Sequence, residues 1–326
     1  MTIIVLVNYN GWKDTIECID SLLKLENSNY KIVVVDNCST DDSYEQITQS
    51  LIQNTEIHLY KILLEEDLNE ISEIDYSSKF FLLKAKKNGG FAYGNNLAIK
   101  MLDRAQFEYR YVWILNNDTV IAPNSLNLFV DRMDADHYKR YGMLGGKLYF
   151  YDQPFILQGV GGVYNKWLAK SKHIGYRQKD IEQFNKELLI FDYVIGASMF
   201  VRKEFIKDIG LMREDYFLYF EELDWTMRGK AKGWEIGYEP RVKVYHKEGS
   251  STTKKGYISK TADMCQVRNR LVFTYRFYPK FLIIVYPFVL YSVCSRLFKG
   301  RFRRAWIIFK IIIKTSKELL LGQIPK

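Results

Sequence analysis

The sequence predicts an α/β fold built around a mostly parallel β-sheet. Short, continuous apolar runs at residues 3–7, 31–36, 80–83 and 111–115 have the length and composition of strands that are covered on both faces. Amphipathic stretches separate these runs. One helix is expected to begin at Asp14, with Glu17 as its capping-box partner, and another at about Gly94. Strands that alternate with helices in this way are typical of parallel sheets.

Polar side chains stand at or shortly after the ends of four of these strands. They are Asn8, Asp36, Asn88 and the cluster at residues 116–118. In open α/β sheets, ligands bind in the crevice outside the carboxyl ends of the strands. The sequence therefore predicts a ligand crevice at this edge. Residues 142–200, which are rich in Gly and aromatic side chains, are expected to form sheet and loops that close over it.

The charge of the chain is unevenly distributed. The net charge is +9, but residues 264–326 carry +12 and residues 1–263 carry −3. The basic part contains an apolar run from residue 279 that is short for a membrane span, which needs roughly 20 residues. We therefore predict a domain at residues 1–265, followed at 266–326 by basic, apolar helices that lie on an anionic membrane surface. A core helix packed on the domain is the alternative.

Several functional classes lack their signatures. The sequence contains no P-loop, no G-x-G-x-x-G after the first strand and no G-x-S-x-G elbow. The four cysteines form no C-x-x-C pair, which argues against a disulfide framework or a zinc site and favours a reducing compartment. The apolar N-terminus lacks the basic residues and cleavage site of a signal peptide, so we interpret it as the first strand.

Asp118 is a candidate metal ligand. It directly follows a hydrophobic strand, beside the amide side chains of Asn116 and Asn117. A carboxylate in this position can hold Mg²⁺ or Mn²⁺, while phosphate oxygens and water take the other positions of the ion. The same residues are also good turn formers, so this segment alone leaves both interpretations open.

Three further carboxylates, Glu221, Glu222 and Asp224, follow an aromatic stretch. Apolar surroundings raise the proton affinity of a carboxylate, which suits a general base, but acidic residues also begin ordinary solvated helices. His246 ends a strand-like segment. A neutral imidazole suits a transition metal such as Mn²⁺, although a lone His is more often structural.

Seven segments occur in the order in which they stand in a known family. The sequence resembles the family 2 glycosyltransferases, and most closely the branch that includes bacterial rhamnosyltransferases and galactofuranosyltransferases. The resemblance covers about residues 2–275 and rests on residues 8–10, 34–41, 88–96, 115–118, 196–199 and 220–224 and on His246. It implies the GT-A fold, a Rossmann-like nucleotide-diphospho-sugar transferase domain.

The resemblance implies roles for the matching residues. Asn8 and Asp36 would contact the base and ribose of the donor, and Asn88 and Gly90 would lie along it. The full donor-binding set is Asn8, Tyr9, Asp36, Asn88, Gly90, Asn95 and Asn117.

The metal and the base are assigned in the same way. Asp118 would be the metal-coordinating carboxylate of the DxD motif, with His246 as a further ligand. Asn116 replaces the first Asp of that motif and completes the predicted metal corner. Glu222 matches the general base of the family, with Glu221 as the alternative base and Asp224 as the third carboxylate of the catalytic motif.

The implied reaction is inverting transfer of a sugar in the assembly of cell-surface polysaccharide. The donor would be dTDP-rhamnose or, behind it, a UDP-sugar, and the acceptor a polyprenyl-diphosphate-linked saccharide. The cofactor would be Mg²⁺ or Mn²⁺, which neutralises the leaving diphosphate so that only one protein base is needed. The basic tail would hold the enzyme peripherally at the cytoplasmic face of the plasma membrane. A homo-oligomer is compatible with this scheme, and no nucleic-acid partner is expected.

Two other function classes stay open at this point. A nucleotidyltransferase that makes the activated sugar also uses an α/β sheet and a carboxylate-bound metal. It usually has a Gly-rich, Arg- or Lys-bearing loop after the first strand, which residues 8–11 lack. A non-catalytic module could instead use the basic tail to bind membrane or nucleic acid, and the apolar runs of the tail favour membrane.

Overall fold

The computed structural model describes residues 1–54, 57, 59–69, 77–186, 190–247, 253–254 and 257–324. In these ranges the strands, numbered along the chain, are β1 Thr2–Asn8, β2 Tyr30–Asp36, β3 Tyr60–Leu64, β4 Phe80–Lys84, β5 Tyr111–Asn116, β6 Thr119–Ile121, β7 Tyr141–Phe150, β8 Gln153–Gly159, β9 Gly162–Asn165, β10 Lys170–His173, β11 Ser198–Arg202, β12 Glu235–His246, β13 Thr253–Lys254 and β14 Tyr257–Ile258. The helices are α1 Trp12–Leu23, α2 Ser43–Gln53, α3 Gly90–Arg104, α4 Ser125–Asp134, α5 Lys203–Ile209, α6 Glu221–Ala231, α7 Lys260–Phe277, α8 Leu282–Phe298 and α9 Phe302–Leu320.

One mixed sheet organises the chain, with strand order β3-β4-β2-β1-β5-β11-β7-β12-β6 and β8 on β7. The first five strands in this order pair in parallel. Beyond β5, strand β11 runs antiparallel to both of its neighbours, and the short β6 is antiparallel to β12. The four apolar runs predicted as strands are β1, β2, β4 and β5, so the predicted α/β sheet is confirmed.

Both faces of the sheet are covered. Alternate residues of β1 point to opposite sides: Ile3 and Val5 pack under α3, whereas Ile4 and Leu6 pack under α1, α2 and α4. All four are fully buried. A continuous apolar run is what a strand buried on both faces requires. Successive strands are added on one side of β1 as far as β4, and β5 is then added on the other side of β1. Ligand crevices in such folds form at this change in strand order.

Two predicted helix starts were wrong. Helix α1 begins at Trp12 after Gly11, and no side chain caps it. The carboxylates of Asp14 and Glu17 instead accept hydrogen bonds from Lys247 Nζ, at 2.6 Å each, so they tie α1 to the end of β12. Helix α3 begins at Gly90 rather than near Gly94, because Gly90, which the sequence pattern places in a turn at residues 88–91, is its first residue and Gly89 is its N-cap.

The C-terminal helices pack against the rest of the domain. Residues of α7, α8 and α9 share a buried cluster with Tyr216, Phe220 and Leu223. The domain boundary expected between residues 265 and 266 falls inside α7, which runs unbroken across it. The four cysteines, all of them described, are free, in agreement with the absence of a disulfide framework.

The segment Pro279–Phe298, which contains α8, is apolar and long enough to cross a membrane, with a mean hydropathy of 1.9 over an 18-residue window. Only 11% of that window is buried against the protein, which favours the predicted surface helix over the alternative of a core helix. Pro287 lies inside this helix. Together with α9, whose exposed side chains include Phe302 and Trp306, it forms a largely apolar C-terminal surface.

Candidate active site

A crevice of about 1230 Å³ lies at the carboxyl ends of β1 and β5. The residues that line it include most of the predicted site: Tyr9, Asn88, Gly90, Asn116, Asn117, Asp118, Glu221, Glu222 and His246. Three predicted donor residues, Asn8, Asp36 and Asn95, and the predicted catalytic Asp224 are not among the lining residues. The structure therefore brings together nine of the thirteen residues and places the other four behind the wall.

Asn8 and Asp36 form the floor under the donor end of the crevice. Both are fully buried, and Asn8 Nδ2 donates to Asp36 Oδ1 at 2.8 Å. Ser39 donates its hydroxyl to the same carboxylate at 2.6 Å. These contacts join the ends of the neighbouring strands β1 and β2, so the two residues shape the loops above them. Neither residue lines the crevice, whereas Tyr9, Asn10 and Asn37 do. Direct contact of Asn8 and Asp36 with the base and ribose therefore stays a prediction.

Asn37 is a site residue that the sequence analysis missed. Its Nδ2 donates to Asn88 Oδ1 and to the Gly90 carbonyl oxygen, at 3.1 Å each, and so joins β2 to the start of α3. Its Oδ1 is buried and has no hydrogen-bond partner among the described residues. A buried amide oxygen without a partner on a crevice wall indicates a ligand that donates to it. The position could have been found, because Asn37 directly follows Asp36 at a strand end.

Asn95 and Asn117 turn inward. Asn95 is fully buried in α3, where its Nδ2 donates to the Phe91 carbonyl oxygen at 2.9 Å. Asn117 lines the crevice, but its Nδ2 donates to Thr15 Oγ1 at 2.9 Å and so holds the β5 loop against α1. Asn95 therefore supports the helix, whereas Asn117 fixes the loop that carries Asp118.

The predicted metal residues meet at one corner of the crevice. Strand β6 follows Asp118 and pairs antiparallel with β12, which sets His246 opposite Thr119. As a result, His246 Nε2 lies 3.0 Å from Asp118 Oδ1 and 3.2 Å from Asn116 Nδ2. The backbone N–H of Lys247 donates to the Asp118 carbonyl oxygen at 3.0 Å, and its ammonium group holds α1, so this corner is fixed from two sides.

Gln158 determines which ring nitrogen of His246 faces the crevice. Gln158 Nε2 donates to the His246 carbonyl oxygen at 2.7 Å, so its Oε1 is the atom that lies 2.7 Å from His246 Nδ1. An amide oxygen only accepts, hence Nδ1 carries a proton, and Nε2 is the ring nitrogen that faces Asp118. Metal-ligating histidines are oriented in this way by a partner on the other nitrogen. Gln158 lies in β8, and no sequence signal marked it.

This corner fits a divalent cation. The Asp118 carboxylate and the Nε2 atom of His246 lie 3.0 Å apart and are both groups that can bind a divalent cation. Among the described residues, no group of three or more His, Cys, Asp and Glu side chains could hold a metal, so the protein supplies few ligands. The remaining positions would be left for phosphate oxygens and water, as is usual for Mg²⁺ in nucleotide sites.

Glu221 and Glu222 lie at the N-terminus of α6, on the opposite wall. Burial raises the pKa of Glu222 to about 7, although backbone N–H groups of Phe220, Glu222 and Leu223 favour its charged form. Burial and the neighbouring Glu222 raise the pKa of Glu221 well above its ordinary value. Glu221 Oε2 is buried and has no hydrogen-bond partner among the described residues. Burial therefore disfavours the charged form of both carboxylates, and Glu222 titrates near neutral pH.

A strained loop sets the position of these two carboxylates. Phe217, Tyr219 and Phe220 have φ values of 65°, 69° and 78°, which are rare for residues other than glycine. Gly90 approaches the loop so closely that a Cβ would stand 2.0 Å from the Phe217 carbonyl oxygen. Asn269 of α7 donates its side-chain amide to the carbonyl oxygens of residues 216, 218 and 219, at 2.9–3.0 Å. Sequence analysis missed Asn269, because it lies in the tail.

Asp224 has a different task from its two neighbours. It is fully buried and accepts hydrogen bonds from Arg228 Nε at 2.7 Å and from the Tyr216 hydroxyl at 2.9 Å. Arg213 and Arg276 lie within 4.0 Å of the same carboxylate. Asp224 is enclosed by these arginines and does not line the crevice, so its contacts indicate that it holds α6 in place. The part in catalysis expected for Asp224 stays a prediction.

The sequence of the chain is similar to that of known glycosyltransferases. The model of the family described as "Glycosyl transferase family 2" matches residues 3–210. The N-acetylglucosaminyl-diphospho-decaprenol L-rhamnosyltransferase of Mycobacterium tuberculosis is 26% identical over 155 residues, which cover 44% of this chain and 48% of that protein. Glycosyltransferase GlyG of Streptococcus pneumoniae is 24% identical over 155 residues, 45% of this chain and 42% of the relative. The matched part thus spans about half the length of these curated relatives.

Solved structures show the same fold. GalNAc-T7, crystallised with UDP, GalNAc and Mn²⁺, superimposes with a TM-score of 0.59 at 12% identity, covering 86% of this chain and 48% of that one. The mannosyltransferase PcManGT of Pyrobaculum calidifontis, in complex with GDP-Man and Mn²⁺, gives 0.54 at 12% identity over 98% and 86% of the two chains. The predicted GT-A fold is confirmed. The extent of the family match decides against a nucleotidyltransferase and against a non-catalytic module: the chain belongs to glycosyl transferase family 2.

Proposed function

We propose that the protein transfers a sugar, with inversion, from a nucleotide-sugar to a polyprenyl-diphosphate-linked saccharide. The observation that carries the proposal is that Glu222 and the corner formed by Asp118 and His246 line one crevice. The name of the mycobacterial relative supports both a lipid-linked acceptor and rhamnose as the sugar. We therefore rank dTDP-rhamnose first as donor and UDP-sugars second.

Asp118, His246 and Asn116 would hold Mg²⁺ or Mn²⁺. A bound divalent ion would supply charge neutralisation for the diphosphate of the donor. The Mn²⁺ in the complexes of PcManGT and GalNAc-T7 supports this assignment. The protein contributes the fixed orientation of the imidazole through Gln158, because Nδ1 is already engaged at 2.7 Å and Nε2 is left for the crevice.

Glu222 would act as the general base. It takes the proton of the acceptor hydroxyl as that oxygen forms a bond to the anomeric carbon, and the bond from that carbon to the diphosphate oxygen breaks. A pKa of about 7 makes Glu222 a much stronger base than an ordinary glutamate while it is still half ionised at neutral pH. The neighbouring Glu221 also has a pKa well above its ordinary value, because burial and the nearby Glu222 disfavour its charged form. A single displacement from the opposite face predicts inversion.

The C-terminal helices would seat the enzyme on the membrane. Their apolar exposed side chains include Tyr291, Phe298, Phe302 and Trp306, and residues 264–326 carry +12. Aromatic and apolar groups beside clustered cations favour an anionic bilayer surface. We propose peripheral association at the cytoplasmic face, where nucleotide-sugars and the diphosphate headgroup of the acceptor meet.

The test is a panel of nucleotide-sugars with a short-chain prenyl-diphosphate-linked N-acetylglucosamine as acceptor, with Mn²⁺ or Mg²⁺ present. We expect turnover with dTDP-rhamnose above that with UDP-sugars, and an anomeric configuration in the product opposite to that of the donor, read by NMR. A product of retained configuration would refute the single-base mechanism. Turnover restricted to another donor would overturn the assignment of rhamnose and leave the mechanism standing.

A further inference from the structure

A second concavity lies at the turn between α8 and α9. It measures about 990 Å³ and is separate from the residues assigned above to donor, metal and base. Six cationic side chains line it: Lys260, Arg296, Lys299, Arg301, Arg303 and Arg304. Asp263 is the one carboxylate in its wall.

The charges of this basic cavity are not balanced by its own residues. Asp263 forms an ion pair with Arg296, and its Oδ2 lies 3.6 Å from Arg304 Nη1, so the one carboxylate that lines the cavity is shared by two of the six cations that line it. At that distance Arg304 Nη1, which is buried, makes no hydrogen bond to a described residue. Cations gathered in this way repel one another, and the arrangement indicates an anion that accepts several charge-assisted hydrogen bonds.

The backbone adds to this preference for an anion. Gly300 makes the turn with a φ of 68°, and the 19-residue helix α9 then begins at Phe302. No side chain caps this N-terminus, which faces the basic cavity. The N–H groups and the positive end of the dipole at the start of a helix favour phosphate groups.

The basic cavity opens toward the active site. Lys260 and Arg304 line both concavities, and Arg270 continues the cationic wall into the crevice that holds Glu222. On the outer side, the exposed side chains of Phe298 and Phe302 flank the turn. A ligand that fits this sequence of surfaces has an apolar chain, then a phosphate group, then a part that reaches the crevice.

We propose that the basic cavity binds the diphosphate of the lipid-linked acceptor, with the prenyl chain along α8 and α9 and the saccharide directed into the crevice. This inference rests on the proposed function. A phospholipid headgroup offers the same phosphate chemistry, but the continuity with the crevice through Lys260 and Arg304 favours the acceptor. Two linked phosphates also match six cations better than one.

The test measures binding of farnesyl diphosphate, a soluble prenyl diphosphate, to the full-length protein. Lys299→Gln combined with Arg303→Gln removes two exposed cations of the basic cavity. Each charge-assisted hydrogen bond contributes to the free energy of binding, so we expect the Kd for farnesyl diphosphate to rise about tenfold or more. The matched control is Lys314→Gln with Lys317→Gln, which removes the same charge from exposed positions of α9 outside the cavity. It should keep the Kd within about twofold, as surface charges contribute little.

Two comparisons complete the test. Vesicles of phosphatidylglycerol distinguish the headgroup: a K299Q/R303Q variant that loses vesicle binding but keeps the wild-type Kd for farnesyl diphosphate overturns the proposal. Equal weakening of farnesyl diphosphate binding in both double variants overturns it as well, because the effect is then general charge. The readout needs no turnover. Binding that depends on the cavity in a protein without transferase activity would refute the proposed function alone, and transfer without such binding would refute this inference alone.

Discussion

Replacing Glu222 with Gln separates the cost of this carboxylate to folding stability from its proposed contribution to catalysis. Burial raises its pKa from an ordinary 4.5 to about 7, and at about 1.4 kcal/mol per unit this costs the ionised folded state about 3 kcal/mol. Between these two pKa values the folded protein binds more protons than the unfolded chain, so stability falls as the pH rises. Gln has nearly the same shape and does not titrate. It should therefore stabilise the protein by about 1 kcal/mol at pH 5 and about 3 kcal/mol at pH 8.

Denaturant unfolding at both pH values measures this difference, and turnover of the same variant measures the catalytic loss. A missing general base lowers kcat by about 10²–10⁴-fold, while the Kd of the donor should stay near that of the wild type. Glu108→Gln removes an exposed carboxylate and is the control for the loss of one charge. Glu222 also raises the pKa of its neighbours Glu221 and Tyr193, so the loss of its charge lowers both values and their response is part of the measured difference. Equal stability differences at pH 5 and pH 8 would refute the raised pKa of Glu222. Near-normal turnover would refute its role as the base.

Three further changes test other parts of the site. Gly90→Ala should cost more than about 2 kcal/mol of stability, because its Cβ would meet a carbonyl oxygen at 2.0 Å, whereas Gly210→Ala, with a φ of 78° and no atom within 4 Å, should cost about 1 kcal/mol in the same denaturant assay. His246→Ala should raise the Mn²⁺ concentration for half-maximal activity by about tenfold or more, and an unchanged metal titration would remove it from the metal site. Deleting residues 279–326 should release the protein from membranes; a truncated form that still sediments with vesicles would contradict the role of α8 and α9.

Much of the fold could be predicted, because strands that are buried on both faces consist of continuous apolar runs in the sequence. The apolar runs at β1 and β2 end at Asn8 and Asp36, where the chain leaves the core and becomes polar. The start of α3 was missed, since Gly89 and Gly90 have no apolar side chains to show helical periodicity and were interpreted as a turn. Local patterns cannot distinguish a glycine in a turn from one at the first residue of a helix.

The sequence predicted which residues gather at the crevice better than it predicted how deeply each of them is buried. The contact between Asp118 and His246 depends on pairing of β6 with β12, a non-local event that the order of motifs in the family implied. Burial was the harder property. Asn8, Asp36 and Asn95 have the polar character of ligand contacts, but all three are fully buried and bond to other protein groups. Of these three side chains, only Asn95 Oδ1 has no hydrogen-bond partner among the described residues. A motif preserves residues that shape a site as well as those that touch the substrate.

The tail is part of the catalytic structure as well as a candidate membrane contact. The backbone of Phe217, Tyr219 and Phe220 adopts conformations that cost about 1 kcal/mol or more each, so the loop needs support from outside itself. Asn269 provides that support from α7, and α7 in turn packs against α8 and α9 in one buried cluster. The helix next to the proposed membrane surface therefore clamps the loop that positions Glu222. Seating of α8 and α9 on a bilayer would act on the proposed base through a single intervening helix, which is a physical reason for joining the two proposed functions in one chain.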